Sequence, residues 1–291
     1  MTGVLRPDLI AAMFSAYGVR GAWQPLTSTG VANWIYATAD VVLRVATDHP
    51  DGVPDARTES VAAPAAYAAG ILTPRMIAFD DSRTLVDRPF SFWERVHGAT
   101  LGQISLSNEA QRTVWHATGS ELARVHRLVT ACPDPQGYLD TPGDEPDTDR
   151  LLATLVADGR LDVGTARDIG AACGELDRPA RAMDVAFTHG DVHRMNVICD
   201  ENGRLLALID WGDAGWNDPM ADFASMPLDA IPPAVAGYEA AIGESLNSAS
   251  RARLIRGKVI SALDHFVRHP ERALDAEALW RFATKRAEAA S

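Results

Sequence analysis

The chain of 291 residues carries 39 acidic against 27 basic side chains, a formal net charge of −12. That length gives room for one large domain or two smaller ones with a real core, and the acidic balance argues against a nucleic-acid partner, which would need a basic footprint. Three scattered cysteines, Cys132, Cys173 and Cys199, are too few for a disulfide framework or a zinc site and point to a reducing, cytoplasmic setting.

Residues 1–17 hold Asp8 where a signal peptide needs its apolar centre, and Pro7 suits the first turn of an amphipathic helix. From residue 23 to 46 the pattern is extended. Trp34-Ile35-Tyr36-Ala37-Thr38 and Val41-Val42-Leu43-Arg44-Val45 are rich in β-formers and separated by Ala39-Asp40, which predicts an antiparallel hairpin. A polar loop over residues 47–55 leads to a predicted helix at 57–69, ended by Gly70. The longest mostly apolar run, residues 61–72, contains Pro64 and Gly70 and is too short to span a bilayer, so no membrane partner is expected. Strands are predicted at 75–79 and 90–96.

After Gly98 the segments become long and amphipathic. The spacing of Val114, Leu122, Val125 and Leu128 predicts a helix over 109–129. Residues 132–149 carry four prolines and six acidic residues, the composition of an exposed connection. More helix is expected to residue 183, then a strand-and-loop segment over 185–210, then helices to the C-terminus. The change of character sets a boundary near residues 97–99, dividing the chain into residues 1–97 and 98–291.

Residues 187–224 concentrate the reactive side chains. Asn202-Gly203, between the apolar runs 197–199 and 205–209, is a strong hairpin signal. A two-residue turn there pairs residues whose numbers sum to about 405, so Asn196 faces Ile209 and Asp210 lies one step further along, beside Asn196. An amide and a carboxylate are thereby expected side by side at the open end of the hairpin, shortly after Asp191. Such a pair suits a hard cation such as Mg²⁺, which keeps most of its waters. Asp191 has the chemistry to accept a hydroxyl proton or orient an attacking oxygen. Taken singly, each residue reads equally well as a polar hairpin end; the grouping, with His189 and Gly190 ahead of it, points to a site.

His189-Gly190-Asp191-Val192-His193-Arg194-Met195-Asn196, followed by Ile209-Asp210-Trp211, resembles the catalytic and metal-binding motifs of the aminoglycoside phosphotransferase and choline kinase-like family. The resemblance implies an α+β, bilobal protein-kinase-like fold, with a small antiparallel-sheet N-lobe for the nucleotide and a larger, mostly helical C-lobe. It implies Asp191 as catalytic base, and Asn196 and Asp210 as Mg²⁺ ligands. By the same resemblance Ser28, Thr29, Gly30 and Asn33 belong to the loop over the phosphates of ATP or GTP. Arg44 is then the third-strand cation, Glu59 the helix carboxylate that holds it, and the backbone near Glu94 and Val96 the hinge for adenine. Gly70-Ile71-Leu72-Thr73-Pro74, Gly215, Asp218-Pro219 and Asp222 also match, Asp222 as a support of the catalytic loop, so the likeness runs over nearly the whole chain. One departure stands out. Protein kinases usually carry lysine at position 44, and the only lysines here are Lys258 and Lys285. Arginine can still pair with Glu59 and contact phosphate oxygens through its planar fork.

The implied activity is transfer of the γ-phosphate of ATP or GTP to a hydroxyl of an aminoglycoside-like antibiotic. Choline-, homoserine- or sugar-type metabolites and macrolides are alternative acceptors, and an inactive nucleotide-binding module is the non-enzymatic rival. Intact Asp191, Asn196 and Asp210 count against that rival. His189, Asp191 and His193 also form an H-x-D-x-H pattern suited to a metal-dependent hydrolase, but no second cluster completes such a site. His189 is expected to brace the loop, His193 to brace it or face the site, and His126 to be structural. Trp115, Trp211, Trp216 and Trp280 are expected in the core or a pocket wall, and Arg251, Arg253, Arg256 and Lys258 on a solvated helix face. Ten acidic residues against two arginines over 189–250 would attract a cationic acceptor, although ordinary acidic loops account for them as well.

Overall fold

The computed structural model describes residues 5–26, 30–139, 141, 146–176, 185–272 and 275–290, of which 285–290 are described as backbone only. Helix α1 (Pro7–Ala16) begins on Pro7, whose fixed φ suits a first helical position. Five antiparallel strands follow, β1 (Gln24–Pro25), β2 (Asn33–Ala37), β3 (Val41–Ala46), β4 (Met76–Asp80) and β5 (Phe90–Glu94), in the sheet order β1-β2-β3-β5-β4. The predicted hairpin is present, with Ala37 opposite Val42 and a Thr38 N–H bond to Val41 O of 2.9 Å.

Side chains alternate between the two faces of this sheet. Tyr36, Leu43, Val45, Phe90 and Phe92 pack against Ile10, Met13 and Phe14 of α1. Val42 and Trp93 face the other way, into the main core. Arg44, between Leu43 and Val45, therefore points away from α1 and towards helix α2 (Gly52–Ala68). That helix starts five residues before the predicted 57, because Pro54 falls in the first turn, where no N–H is needed. Its Ala62, Ala63 and Ala66 belong to the main core rather than to the α1 cluster, so the small side chains seat α2 against the helical half.

That half is built on α3 (Asn108–Leu128), capped by Ser107, whose hydroxyl accepts the Ala110 N–H at 3.2 Å. Helix α6 (Ile231–Ile242) crosses it so closely that a Cβ on Gly119 would lie 1.8 Å from Ala234 O, and one on Gly237 1.8 Å from His116 O. Helices α4 (Thr148–Ala157), α5 (Val163–Leu176), α7 (Ser248–Arg268) and α8 (Ala276–Ala290) complete it. Among the described residues no helix is long and apolar enough to cross a membrane.

Two small sheets carry the reactive segment: β6 (Ala99–Thr100) with β8 (Val197–Cys199) and β9 (Leu205–Leu208), and β7 (Ala186–Thr188) with β10 (Gly215–Asn217). The turn between β8 and β9 is not the expected two-residue turn. Asp200 N–H bonds Arg204 O at 3.0 Å around three residues, with Gly203 at φ +76°, a conformation glycine adopts without steric cost. A register shift between Ile198 and Cys199 then restores the expected pairing, Val197 opposite Leu208. Ile209 N–H bonds Asn196 O at 3.0 Å, so Asn196 and Ile209 face each other as predicted, through two compensating irregularities.

Three further expectations fail. The connection after α3 is not simply exposed, since residues 132–139 fold back onto α2. Trp115 and Trp211 are buried, but Trp216 and Trp280 are each 36% exposed. The basic run on α7 is no solvated face either. Arg253 pairs with Asp218 at 2.8 Å with both side chains largely buried, and Lys258, 9% exposed, donates to Ala224 O at 2.8 Å. These charges serve the 3-10 turn Pro219–Phe223, which polar periodicity alone cannot distinguish from solvent.

Burial pushes the Lys258 ammonium down from 10.5 to about 8. Below pH 8 folded and unfolded chains both hold the proton, and the cost of burying the charge is fully present. Between about 8 and 10.5 only the unfolded chain holds it, so this group adds stability as pH rises. Lys258→Met is expected to be more stable than the parent near pH 7. Urea titrations should show that gap shrinking by about 3 kcal/mol across the same window.

Candidate active site

A cavity of about 510 Å³ lies between the five-stranded sheet and the helical half. Its roof is Gly30, Ala32, Asn33, Ile35 and Val42, its closed end Trp93 with Glu94, Arg95 and Val96, and its floor His193, Met195, Asn196, Ile198, Ile209 and Asp210. Gly30 and Asn33 of the expected phosphate loop line it, while Ser28 and Thr29 lie outside the described residues. The loop's exit is fastened from below: Thr47 donates its hydroxyl to Val31 O at 2.6 Å and its N–H to Ala32 O at 2.8 Å.

Arg44 crosses the back of the cavity. Nη1 donates to Glu59 Oε1 at 2.6 Å and Nη2 to Asp210 Oδ1 at 2.7 Å. The Glu59 pair was expected; the direct bond to Asp210 was not. Arg44 is 12% exposed and Glu59 2%, and the buried Arg44 Nε has no protein acceptor. Burial pushes Glu59 up to about 7, Arg44 pulling the other way. Asp210 behaves differently. Its carboxylate is 42% exposed to the cleft although protein atoms crowd around it. Burial would raise it, but the charge and hydrogen bond of Arg44 outweigh that and hold it below the usual range. Asp210 takes φ +69°, a left-handed turn that aspartate tolerates better than most residues, and the next N–H, of Trp211, reaches Glu59 Oε1 at 3.2 Å.

Asn196 is buried, and its Nδ2 donates to Asp191 O at 2.9 Å and to Asp191 Oδ2 at 3.2 Å. That commitment fixes the amide orientation and leaves Oδ1 as the acceptor for a cation. Two oxygen donors, one neutral and one anionic, have the chemistry to hold Mg²⁺, a hard cation that binds few protein groups. Among the described residues, no three His, Cys, Asp or Glu side chains form a metal cage. The hydrolase alternative loses its first ligand for a positive reason: both ring nitrogens of buried His189 are engaged. Nε2 donates to Ile209 O at 3.1 Å and Nδ1 accepts the Asp191 N–H at 3.4 Å. His193 faces the site, with Nε2 3.3 Å from Asp191 Oδ2 and Nδ1 accepting the Met195 N–H at 3.1 Å.

The loop rests on Asp222, which is fully buried. Its carboxylate accepts the His189 N–H at 3.1 Å, the Gly190 N–H at 2.7 Å and His126 Nε2 at 2.8 Å. Burial would raise this carboxyl, but those bonds, that of His126 first, hold it low. His126 extends the support through Nδ1 to Tyr238 OH at 3.0 Å. Gly190 has φ +88°, and a Cβ there would lie 2.1 Å from Asp213 O; only glycine lets the two segments meet.

At the closed end, Glu94 N–H bonds Arg75 O and Arg95 N–H bonds Asp40 O, each at 2.9 Å. Among the described residues the Val96 N–H has no such backbone acceptor. The Glu94 side chain turns out to Arg75, at 2.6 and 2.9 Å. Sequence reasoning missed Trp93, Gln103 and Met195 as cavity walls. It also missed Asp55 beside the floor, where burial and the charges of Asp213, Asp210 and Asp51 push the carboxyl up to about 7.

No curated protein sequence matches the chain. Solved structures do. A choline/ethanolamine kinase family protein from Mesorhizobium loti superposes with TM-score 0.57 at 18% identity, over 97% of this chain and 94% of that one. The GDP complex of aminoglycoside 2′-phosphotransferase-IIIa gives TM-score 0.68 at 14% identity, over 98% of each chain. The streptomycin–ATP ternary complex of APH(2″)-IIa gives 0.60 at 14%, over 99% of each. At these identities the likeness speaks to the fold, which is the protein-kinase-like α+β fold that the motifs implied. The family model described as "phosphotransferase enzyme family" matches residues 28–254, well over half of the chain. The chain therefore belongs to the phosphotransferase enzyme family.

Proposed function

We propose that the protein transfers the γ-phosphate of ATP or GTP to a hydroxyl of a cationic small molecule of the aminoglycoside type, in the cytoplasm, and thereby protects against such an antibiotic. The observation that carries this reading is the guanidinium of Arg44, forked between Glu59 and Asp210 at the back of a cleft whose floor carries Asn196 and Asp191. In this reading residues 1–97 hold the nucleotide and residues 98–291 supply the catalytic loop and the acceptor site. Gly30 and Asn33, with Ser28 and Thr29, cover the phosphates, and the backbone at Glu94 and Val96 takes the base edge. Asn196 and Asp210 would hold Mg²⁺, which would neutralise charge on the phosphate oxygens when bound. Arg44 steadies those oxygens from the other side. Asp191 accepts the proton of the acceptor hydroxyl through the carboxylate that Asn196 and His193 orient. Little covalent work is asked of the protein; alignment and charge do the rest.

The crowding of Asp51, Asp55, Asp210 and Asp213, which acts on Asp55, supports a cationic acceptor, since a positive group near them relieves repulsion. Relatives of this fold include a streptomycin complex and a choline/ethanolamine kinase family protein, so a choline-type metabolite is the second reading on the same ground. A nucleotide-consumption screen with Mg²⁺ over aminoglycosides, choline, ethanolamine, homoserine, macrolides and sugars tests both. Phosphorylation of an aminoglycoside is the expected result. Turnover confined to neutral acceptors would overturn the cationic assignment.

A further inference from the structure

Helix α2 bears Glu59, and what holds that helix lies outside the cavity. Thr58, the neighbour of Glu59, is 4% exposed, and its hydroxyl donates to Tyr138 O at 2.6 Å, closer than the intrahelical Pro54 O at 3.3 Å. The Tyr138 carbonyl is presented by a turn that Asp134 ties together. Its carboxylate accepts the N–H groups of Tyr138 and Leu139 at 2.8 and 2.9 Å. One residue before Thr58, the Arg57 guanidinium sits 5.6 Å from the centre of the Tyr138 ring and donates to Asp81 at 2.8 Å. Three residues after it, Val61 O accepts Cys132 Sγ–H at 3.4 Å. The remaining face of α2, Ala62, Ala63 and Ala66, is buried in the main core.

We propose that the turn at residues 132–139 is a built-in clamp that fixes α2, and with it the Glu59–Arg44 pair, in the position that serves the nucleotide phosphates, with Thr58 and Asp134 as its positioning residues. The inference rests on the nucleotide role proposed above for Arg44 and Glu59. Contacts at positions 57, 58 and 61 cover about one turn of helix, a rise of about 5.4 Å. Rolling or sliding α2 would break all three and leave the Tyr138 carbonyl without its Thr58 donor. The pair is therefore standing equipment, present before nucleotide arrives.

Two measurements separate the clamp from the reading it rests on. Hydrogen exchange of residues 52–68 against residues 108–128 needs no ligand. Thr58→Val and Asp134→Ala are expected to speed exchange in the first segment and leave the second unchanged. Calorimetric titration with MgATP and MgGTP should then show affinity falling about tenfold, the worth of one hydrogen bond. Thr58→Ser, which keeps the hydroxyl, is expected to restore both readouts, as a volume or folding defect would not. Unchanged exchange in both variants overturns the clamp. Faster exchange with unchanged affinity overturns its link to the nucleotide, and if Glu59→Gln also binds normally, the fault lies in the role given to Glu59.

Discussion

Asp191→Asn is expected to lower kcat by about 10³-fold while leaving the fold and nucleotide affinity close to the parent's. The size follows from what a positioned base contributes to a proton transfer, roughly 10²- to 10⁴-fold. The side chain is one-third exposed and is met by Asn196 Nδ2 at 3.2 Å and His193 Nε2 at 3.3 Å. An amide of the same shape keeps an oxygen for Asn196, and Asn196 holds the backbone Asp191 O as well, so the loop need not move. The amide cannot take a proton from the acceptor. Melting temperature and MgATP titration check the first half of the expectation, and steady-state turnover on an acceptor found by the screen checks the second. Near-parental turnover would remove Asp191 from the role, and a large loss of nucleotide affinity would show that it positions the metal side instead.

Most of the local structure was legible in the sequence because periodicity and turn chemistry are local. Runs of β-formers that lie close in sequence and are parted by a short turn declare a hairpin, as 34–38 and 41–45 do. The open end of the β8–β9 hairpin was placed correctly even though the turn was misjudged, because a three-residue turn and a register shift cancel. Long-range partners are another matter. Arg44 and Asp210 are 166 residues apart, and nothing local to either announces their bond. The start of α2 was missed because Pro54 reads as a breaker unless its place in the first turn is known. The turn at 132–139 reads from composition as open chain because its prolines and carboxylates look solvated. Asp134 instead spends its charge on its own backbone, which composition does not reveal. Lys258 taught the same lesson on α7: a polar pattern says that a face meets polar groups, not that those groups are water.

Arg44, the residue that departs from the usual lysine, carries the second large expectation. Arg44→Lys is expected to weaken MgATP binding about tenfold, because one ammonium cannot reproduce two bonds of 2.6 and 2.7 Å to separate carboxylates and still face a phosphate. Arg44→Met should weaken it on the order of a hundredfold, the loss of a charge-assisted contact. It should also destabilise the fold by about 3 kcal/mol, since Glu59 is left buried without its partner. The two effects can be separated. Adding Glu59→Gln to Arg44→Met removes the stranded charge, while the glutamine oxygen can still accept the Trp211 N–H now bonded at 3.2 Å. Urea unfolding is expected to return to within about 1 kcal/mol of the parent, with nucleotide affinity still low. If affinity returned with stability, Arg44 would be a structural cation that merely holds α2 to the cleft. If stability returned alone, the guanidinium binds the nucleotide itself, and the arginine is a working replacement for lysine at this position.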